Sequence, residues 1–182
     1  MDEVHLFDFP QIGMTFGEKL ALVGSNGCGK TSFVRKLISK ELEGYYNPKL
    51  KIAYFSQGLT SLNEEETAFV NASSTSLQDR VTVLNLLGML GLSYDKAQQK
   101  VANLSGGERV RLSLAKVLLS DANLLIVDEP TNYLDITAIE ALEKFLQEYQ
   151  GSVLLISHDQ RFVESVVHRK WLVENNQLTE QP

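Results

Sequence analysis

Three features of this 182-residue sequence predict an α/β domain with a mostly parallel sheet flanked by helices. The first is a set of short apolar runs, Leu20-Ala21-Leu22-Val23, Asn123-Leu124-Leu125-Ile126-Val127 and Val153-Leu154-Leu155-Ile156, which read as strands buried on both faces. The second is helical apolar spacing between and around them: Phe33, Val34, Leu37 and Ile38; Val110, Leu114, Val117 and Leu118; and Ile139, Leu142, Phe145, Leu146 and Tyr149. The third is the small or polar residue at which each run stops: Gly24, Asp128 and Ser157. Open α/β sheets bind ligands beyond the carboxyl ends of their strands, so these positions are where chemistry is expected.

The composition suits one compact core, with 43% hydrophobic and 22% charged residues. A net charge of −6 offers no global basic field for nucleic acid or an anionic membrane surface, so neither is expected to bind this chain directly. No apolar run approaches the roughly 20 residues that span a bilayer, and the start lacks the layout of a signal peptide, so the expectation is a soluble, cytoplasmic protein. Cys28 is the single cysteine, which rules out an intrachain disulfide or a multi-cysteine metal site.

Taken in order, Val4 to Phe9 reads as a strand and Gly17-Glu18 as a turn. Gly24-Ser25-Asn26-Gly27-Cys28-Gly29-Lys30-Thr31 then fits the phosphate-binding pattern G-x-x-x-x-G-K-[ST], in the strand–loop–helix context that the pattern requires. Glycines 24, 27 and 29 let backbone N–H groups converge on one concavity at a helix N-terminus. Lys30 is placed to reach terminal phosphates and the Thr31 hydroxyl to take a magnesium position; Ser32 completes the nucleotide-binding set, and Cys28 contributes backbone rather than thiol. An ordinary glycine turn is the alternative. The next helix is expected to end near Gly44, and Lys51 to Phe55 to form a strand that delivers Gln57. Residues 58–76 are polar and expected to be mobile; Asp79–Leu92 and Tyr94–Val101 read as helices of a small insert.

Leu104-Ser105-Gly106-Gly107-Glu108 admits two readings. Ser105 and Glu108 have capping-box spacing, which would simply start a helix. Two glycines in a first turn are costly unless backbone approaches something closely, which favours a phosphate ligand. Asp128-Glu129 at a strand end is a pair of acids that is expensive without a cation: Asp128 fits a magnesium contact and Glu129 a base for water, against a merely solvated pair. After Pro130, Thr137 and Glu140 have capping-box spacing for the next helix. His158, at the end of the third run, is either an ordinary polar residue or a donor to a phosphate oxygen. Lys170 to Val173 reads as a last strand.

Together, the phosphate loop, Gln57, LSGGE at 104–108, LLIVDEP at 124–130, NYLD at 132–135 and SHD at 157–159 resemble an ATP-binding cassette ATPase over nearly the whole chain. That resemblance implies a nucleoside-triphosphatase core of the phosphate-loop type, with a helical subdomain, approximately residues 57–120, that carries the LSGGE signature. It implies ATP and Mg2+ as ligands and a head-to-tail pairing of two cassettes. Ser105, Gly106, Gly107 and Glu108 would then serve a nucleotide held by the partner cassette. Gln57 would contact the metal and the attacking water, Glu129 would be the base, His158 would sense the γ-phosphate, and Asp135 would lie in the loop that couples the two sites.

LSGGERVRLSLAKVLL, DEPTNYLD and SHDQRFVESVVHRKWLVEN resemble more closely the F subfamily, soluble tandem cassettes that act on the ribosome, some conferring antibiotic resistance. The short stretch 58–103 is similar to a second cassette of a longer protein. Against the subfamily's pattern, the partner cassette, the charged interdomain linker and a strand before Val4 bearing an adenine-stacking aromatic are expected to be missing from this sequence, and without that aromatic, discrimination between ATP and GTP is expected to be weak. A transporter subunit docked on a membrane partner, and a nucleotide-gated module with negligible turnover, are the competing readings.

Overall fold

Alternate residues of the three apolar runs point to opposite faces of one sheet, and each face carries its own core. In the computed structural model, which describes residues 5–8, 12–56, 62–174 and 177–181, the described residues form a six-stranded sheet. Its order is β5 (Ile52–Phe55), β6 (Leu124–Asp128), β7 (Ser152–Ile156), β3 (Lys19–Val23), β8 (Arg169–Glu174) and β9 (Gln177–Gln181). The first five run parallel and β9 returns antiparallel to β8.

Leu20, Leu22, Leu124, Ile126, Leu154 and Ile156 face helix α1 (Lys30–Ser39), packing with its Val34 and Leu37 and with Trp171. Ala21, Leu125, Val127, Val153 and Leu155 face the other way, in one apolar cluster with α5 (Gly106–Leu118), α6 (Ile136–Glu148) and α7 (Gln160–Val166). This is period-2 alternation with both faces covered, which is why the strand sequences are continuously apolar. No helix of the described residues is long and apolar enough to cross a membrane.

The structure adds three strands to those expected. β1 (His5–Asp8) pairs antiparallel with β2 (Gly13–Thr15) and with β4 (Tyr45–Tyr46) in a separate small sheet, where β2 and β4 are new. The third is β9, which comes after β8, so Lys170–Val173 is not the last strand. Helix α1 stops at Ser39 rather than near Gly44. Lys40 adopts a left-handed φ of 58°, and its N–H, with that of Glu41, closes on the carbonyls of Leu37 and Lys36.

The polar stretch expected to be mobile contains α2 (Ala68–Ser73), capped by Thr67, with Ala68, Asn71 and Ala72 buried. Asn71 is the reason a polar sequence packs there. Its amide nitrogen donates to the carbonyls of Asn63 and Thr67, each at 3.0 Å, and its oxygen accepts from Asn63 N at 2.8 Å. Helix α3 (Arg80–Met89) lies within the expected 79–92 span, whereas α4 (Tyr94–Ala97) stops short of the expected Val101, which instead opens a 3-10 turn, Val101–Asn103; α5 then leads to β6.

Candidate functional site

The loop between β3 and α1 is shaped by backbone that only glycine adopts easily. Gly24, Gly27 and Gly29 all have positive φ, at 151°, 77° and 107°. At Gly24 the constraint is also steric, since a Cβ would stand 2.5 Å from Val173 O and 2.7 Å from Cys28 Sγ. Gly24→Ala is therefore expected to cost about 1–3 kcal/mol, lowering the thermal midpoint by roughly 2–12 °C. A midpoint equal to the parent's would show that the loop has another accessible geometry.

Lys30 opens α1 and folds back across this loop, its ammonium donating to Gly24 O at 2.8 Å and Ser25 O at 3.0 Å. The loop faces an open cavity of about 720 Å³, which brings together Asn26, Gly27, Gly29, Lys30, Thr31 and Ser32 from the loop and helix with Asp128, Glu129 and His158 from the ends of β6 and β7. Arg35, Tyr54, Ser56, Asn132 and Ile156 complete its wall. Sequence reasoning missed Arg35, Tyr54, Ser56 and Asn132. For Arg35 the available signal was its position four residues beyond Thr31, on the same side of a helix. For Tyr54 it was the alternation that sends Phe55 to the core and Tyr54 to the opposite face. Gln57 lies outside the described residues.

The acidic pair is built asymmetrically. Asp128 accepts from the Tyr54 phenol at 3.2 Å, and burial holds its carboxyl above the ordinary carboxylate range, an effect opposed by that bond and by the nearby Lys30 ammonium. Burial, reinforced by the Asp128 charge, pushes the Tyr54 phenol up to about 12, so it remains a protonated donor throughout the neutral range.

Glu129 has φ 50° and ψ 52°, a left-handed conformation uncommon outside glycine, from which Pro130 starts a short 3-10 turn, Pro130–Tyr133. Its N–H donates to Ile156 O at 2.8 Å, tying the kink to the end of β7. The carboxylate is 13% exposed: Oε2 accepts from His158 N at 3.4 Å, whereas Oε1 is buried with no hydrogen-bond donor among the described residues, the His158 ring nitrogen lying 3.6 Å away. Glu129 also lines the cavity, so its carboxylate is placed to accept a proton from whatever enters.

These donors are hard oxygens, a hydroxyl at Thr31 and a carboxylate at Asp128. Among the described residues, no cluster of three or more metal-ligating His, Cys, Asp or Glu side chains stands as a cage. That set fits magnesium, which is held by one or two carboxylates together with substrate phosphates.

The signature segment stands apart: neither residues 105–108 nor Asp135 line this cavity. Both halves of the capping box are made, Ser105 N donating to Glu108 Oε2 at 2.8 Å and Glu108 N to Ser105 Oγ at 3.3 Å. The Ser105 N–H is the chief cause that holds the Glu108 carboxyl below the ordinary carboxylate range, and Lys96 stands 3.2 Å from it. Arg109 pins the segment from behind, donating to Leu104 O, Ala102 O and Glu64.

The capping reading is thus realised, yet it does not explain the glycines. A Cβ at Gly106 or Gly107 would meet nothing within 4 Å, and Ser105, Gly106 and Gly107 are exposed. Asp135 caps α6 by accepting from Ala138 N at 2.9 Å, which corrects the expected Thr137–Glu140 box; Thr137 lies inside the helix. On either side of Asp135, Tyr133 and Ile136 are exposed.

The ABC transporter family model matches residues 11–132. ATP-binding protein Uup of Escherichia coli (strain K12) is 40% identical over 168 residues, covering 87% of this chain and 26% of that protein. The ribosome protection protein VmlR of Bacillus subtilis (strain 168) is 34% identical over 179 residues, covering 97% of this chain and 33% of that protein. The chain thus spans about a quarter to a third of the curated relatives it matches. Among solved structures, that of an RNase-L Inhibitor superposes with a TM-score of 0.80 at 27% identity, covering 100% of this chain and 40% of that one.

Proposed function

This chain belongs to the ABC transporter family, and on that premise we propose that it is an ATP-binding cassette which binds ATP with Mg2+ in the 720 Å³ cavity and hydrolyses it to ADP and phosphate. Cassettes of this family bind ATP, generally with Mg2+, and hydrolyse it; the assignment of these steps to particular residues is our own reading. One observation carries it: Lys30 and Thr31 from the first turn of α1, and Asp128, Glu129 and His158 from the ends of β6 and β7, line a single cavity.

In this reading the loop N–H groups from Gly24 to Gly29 and the Lys30 ammonium bind the β- and γ-phosphates. Thr31 and Asp128, with Gln57, hold the magnesium ion, which when bound neutralises charge that develops on the phosphoryl oxygens. Glu129 takes a proton from the attacking water, the role suited to its buried Oε1. The His158 side chain, 57% exposed, turns from Glu129 to donate to the γ-phosphate. Calorimetric titration with ATP and Mg2+, paired with a phosphate-release assay, tests this; absence of ATP binding would overturn it.

Ser105, Gly106 and Gly107 act on a nucleotide held by a second cassette, because they are exposed, lie outside this chain's own cavity and present a helix N-terminus. Asp135 couples the two sites, and the helical segment around residues 57–120 acts as the subdomain that carries the signature. An isolated chain must find its partner by self-association, so specific ATPase activity is expected to rise with protein concentration at saturating Mg2+ and ATP. A rate per molecule that stays flat from dilute to concentrated solution would count against the shared site.

We further propose that the parent protein is of the F subfamily and acts in the cytoplasm on the ribosome. DEPTNYLD and the likeness to a ribosome protection protein over 97% of this chain support that reading over a transporter subunit.

A further inference from the structure

We infer that Tyr54 is a positioning residue for the magnesium site: by donating to one oxygen of Asp128 it fixes the rotation of that carboxylate and leaves the other oxygen to the metal. The inference rests on the nucleotide reading above and assigns a role to a residue outside the loop, signature and acidic motifs.

The placement comes from strand register. β5 and β6 are parallel, with Tyr54 opposite Ile126 and Phe55 opposite Val127. Tyr54 and Ile126 therefore share a face, and Asp128, two residues further along β6, lies on that face at the strand end. A short side chain at position 54 could not span the offset; a phenol does, and its oxygen stands 3.2 Å from Asp128 Oδ2. The neighbouring groups are engaged elsewhere. The Lys30 ammonium donates to Gly24 O and Ser25 O, and the Glu129 carboxylate accepts from His158 N.

An aspartate carboxylate rotates broadly about its last torsion, whereas Mg2+ demands a near-ideal octahedron at short distance. Hydrogen bonds to a ligating carboxylate supply that missing orientation, and their loss typically costs about 10- to 100-fold in metal affinity.

The test is a cycle of Tyr54→Phe, Asp128→Asn and the double variant, with Mn2+ as the metal probe and a non-hydrolysable ATP analogue as nucleotide. Free Mn2+ is read by electron paramagnetic resonance. Tyr54→Phe keeps the ring and is expected to weaken Mn2+ binding about tenfold or more, while analogue affinity in EDTA and the thermal midpoint match the parent. On the Asp128→Asn background the same change is expected to add nothing.

Parental Mn2+ affinity in Tyr54→Phe would overturn the inference. So would an equal loss on both backgrounds or an equal loss of analogue binding in EDTA, since either would assign the phenol to packing. A parent that binds the analogue neither with nor without Mn2+ would overturn the nucleotide reading itself, which separates that failure from a failure of Tyr54 alone.

Discussion

Glu129→Gln is expected to hold ATP without cleaving it, with turnover reduced by about 10²- to 10⁴-fold, the range that a positioned general base contributes. The substitution is close to isosteric and leaves the surroundings intact. The amide oxygen can still accept from His158 N, the backbone N–H still reaches Ile156 O, and a left-handed φ of 50° is no harder for glutamine than for glutamate. What changes is the basicity of an oxygen that is buried and has no donor among the described residues. A phosphate-release assay against an ATP-binding isotherm separates the two effects. If hydrolysis persisted at the parent's rate, Glu129 would not be the base.

Lys30→Ala is expected to weaken ATP binding at least tenfold, because a charge-assisted contact to phosphate is worth about 1.5–3 kcal/mol. The ammonium already lies over the loop, bonded to two of its carbonyls, so its removal takes charge from the concavity without moving a distant element. Calorimetry reads the affinity, and a thermal melt checks that the fold survives. Unchanged affinity in a folded Lys30→Ala chain would sink the phosphate-loop assignment.

Sequence alone reached those parts of the molecule whose cause is local. Leu124 to Val127 and Val153 to Ile156 read as buried strands because both faces of a parallel sheet are covered, and 24–31 read as a phosphate loop because its glycines, lysine and threonine act within one turn. It failed where the cause lies in another segment. β4 is two residues long and exists through its pairing with β1, while β9 depends on β8. Helix α2 hides in polar sequence because Asn71 finds two of its three partner atoms, the N–H and carbonyl of Asn63, only once residue 63 has folded over it. Thr137 lost the α6 cap to Asp135, which occupies the extended conformation that a capping residue needs two positions earlier. The same division holds in the site: Lys30, Thr31, Asp128, Glu129 and His158 were named from local motifs and line one cavity, whereas alternation could turn Tyr54 away from Phe55 but its place beside Asp128 depends on the register of β5 on β6, and Asn132 reaches the cavity through a 3-10 turn.

The reciprocal Ser105–Glu108 bonds, with the anchoring of Arg109, bear on the thermodynamics of pairing. Ser105 Oγ satisfies the N–H of Glu108, while the N–H groups of Gly106 and Gly107, in the first helical turn, have no intrahelical acceptor. The signature is therefore already wound before any partner arrives. Association then carries no coupled folding of this segment, and its entropic penalty is mainly rigid-body freedom with the immobilisation of rim side chains. If two copies pair as proposed, the heat-capacity change of association should track the apolar and polar area that they remove from water, without the additional decrement that accompanies a segment folding on contact.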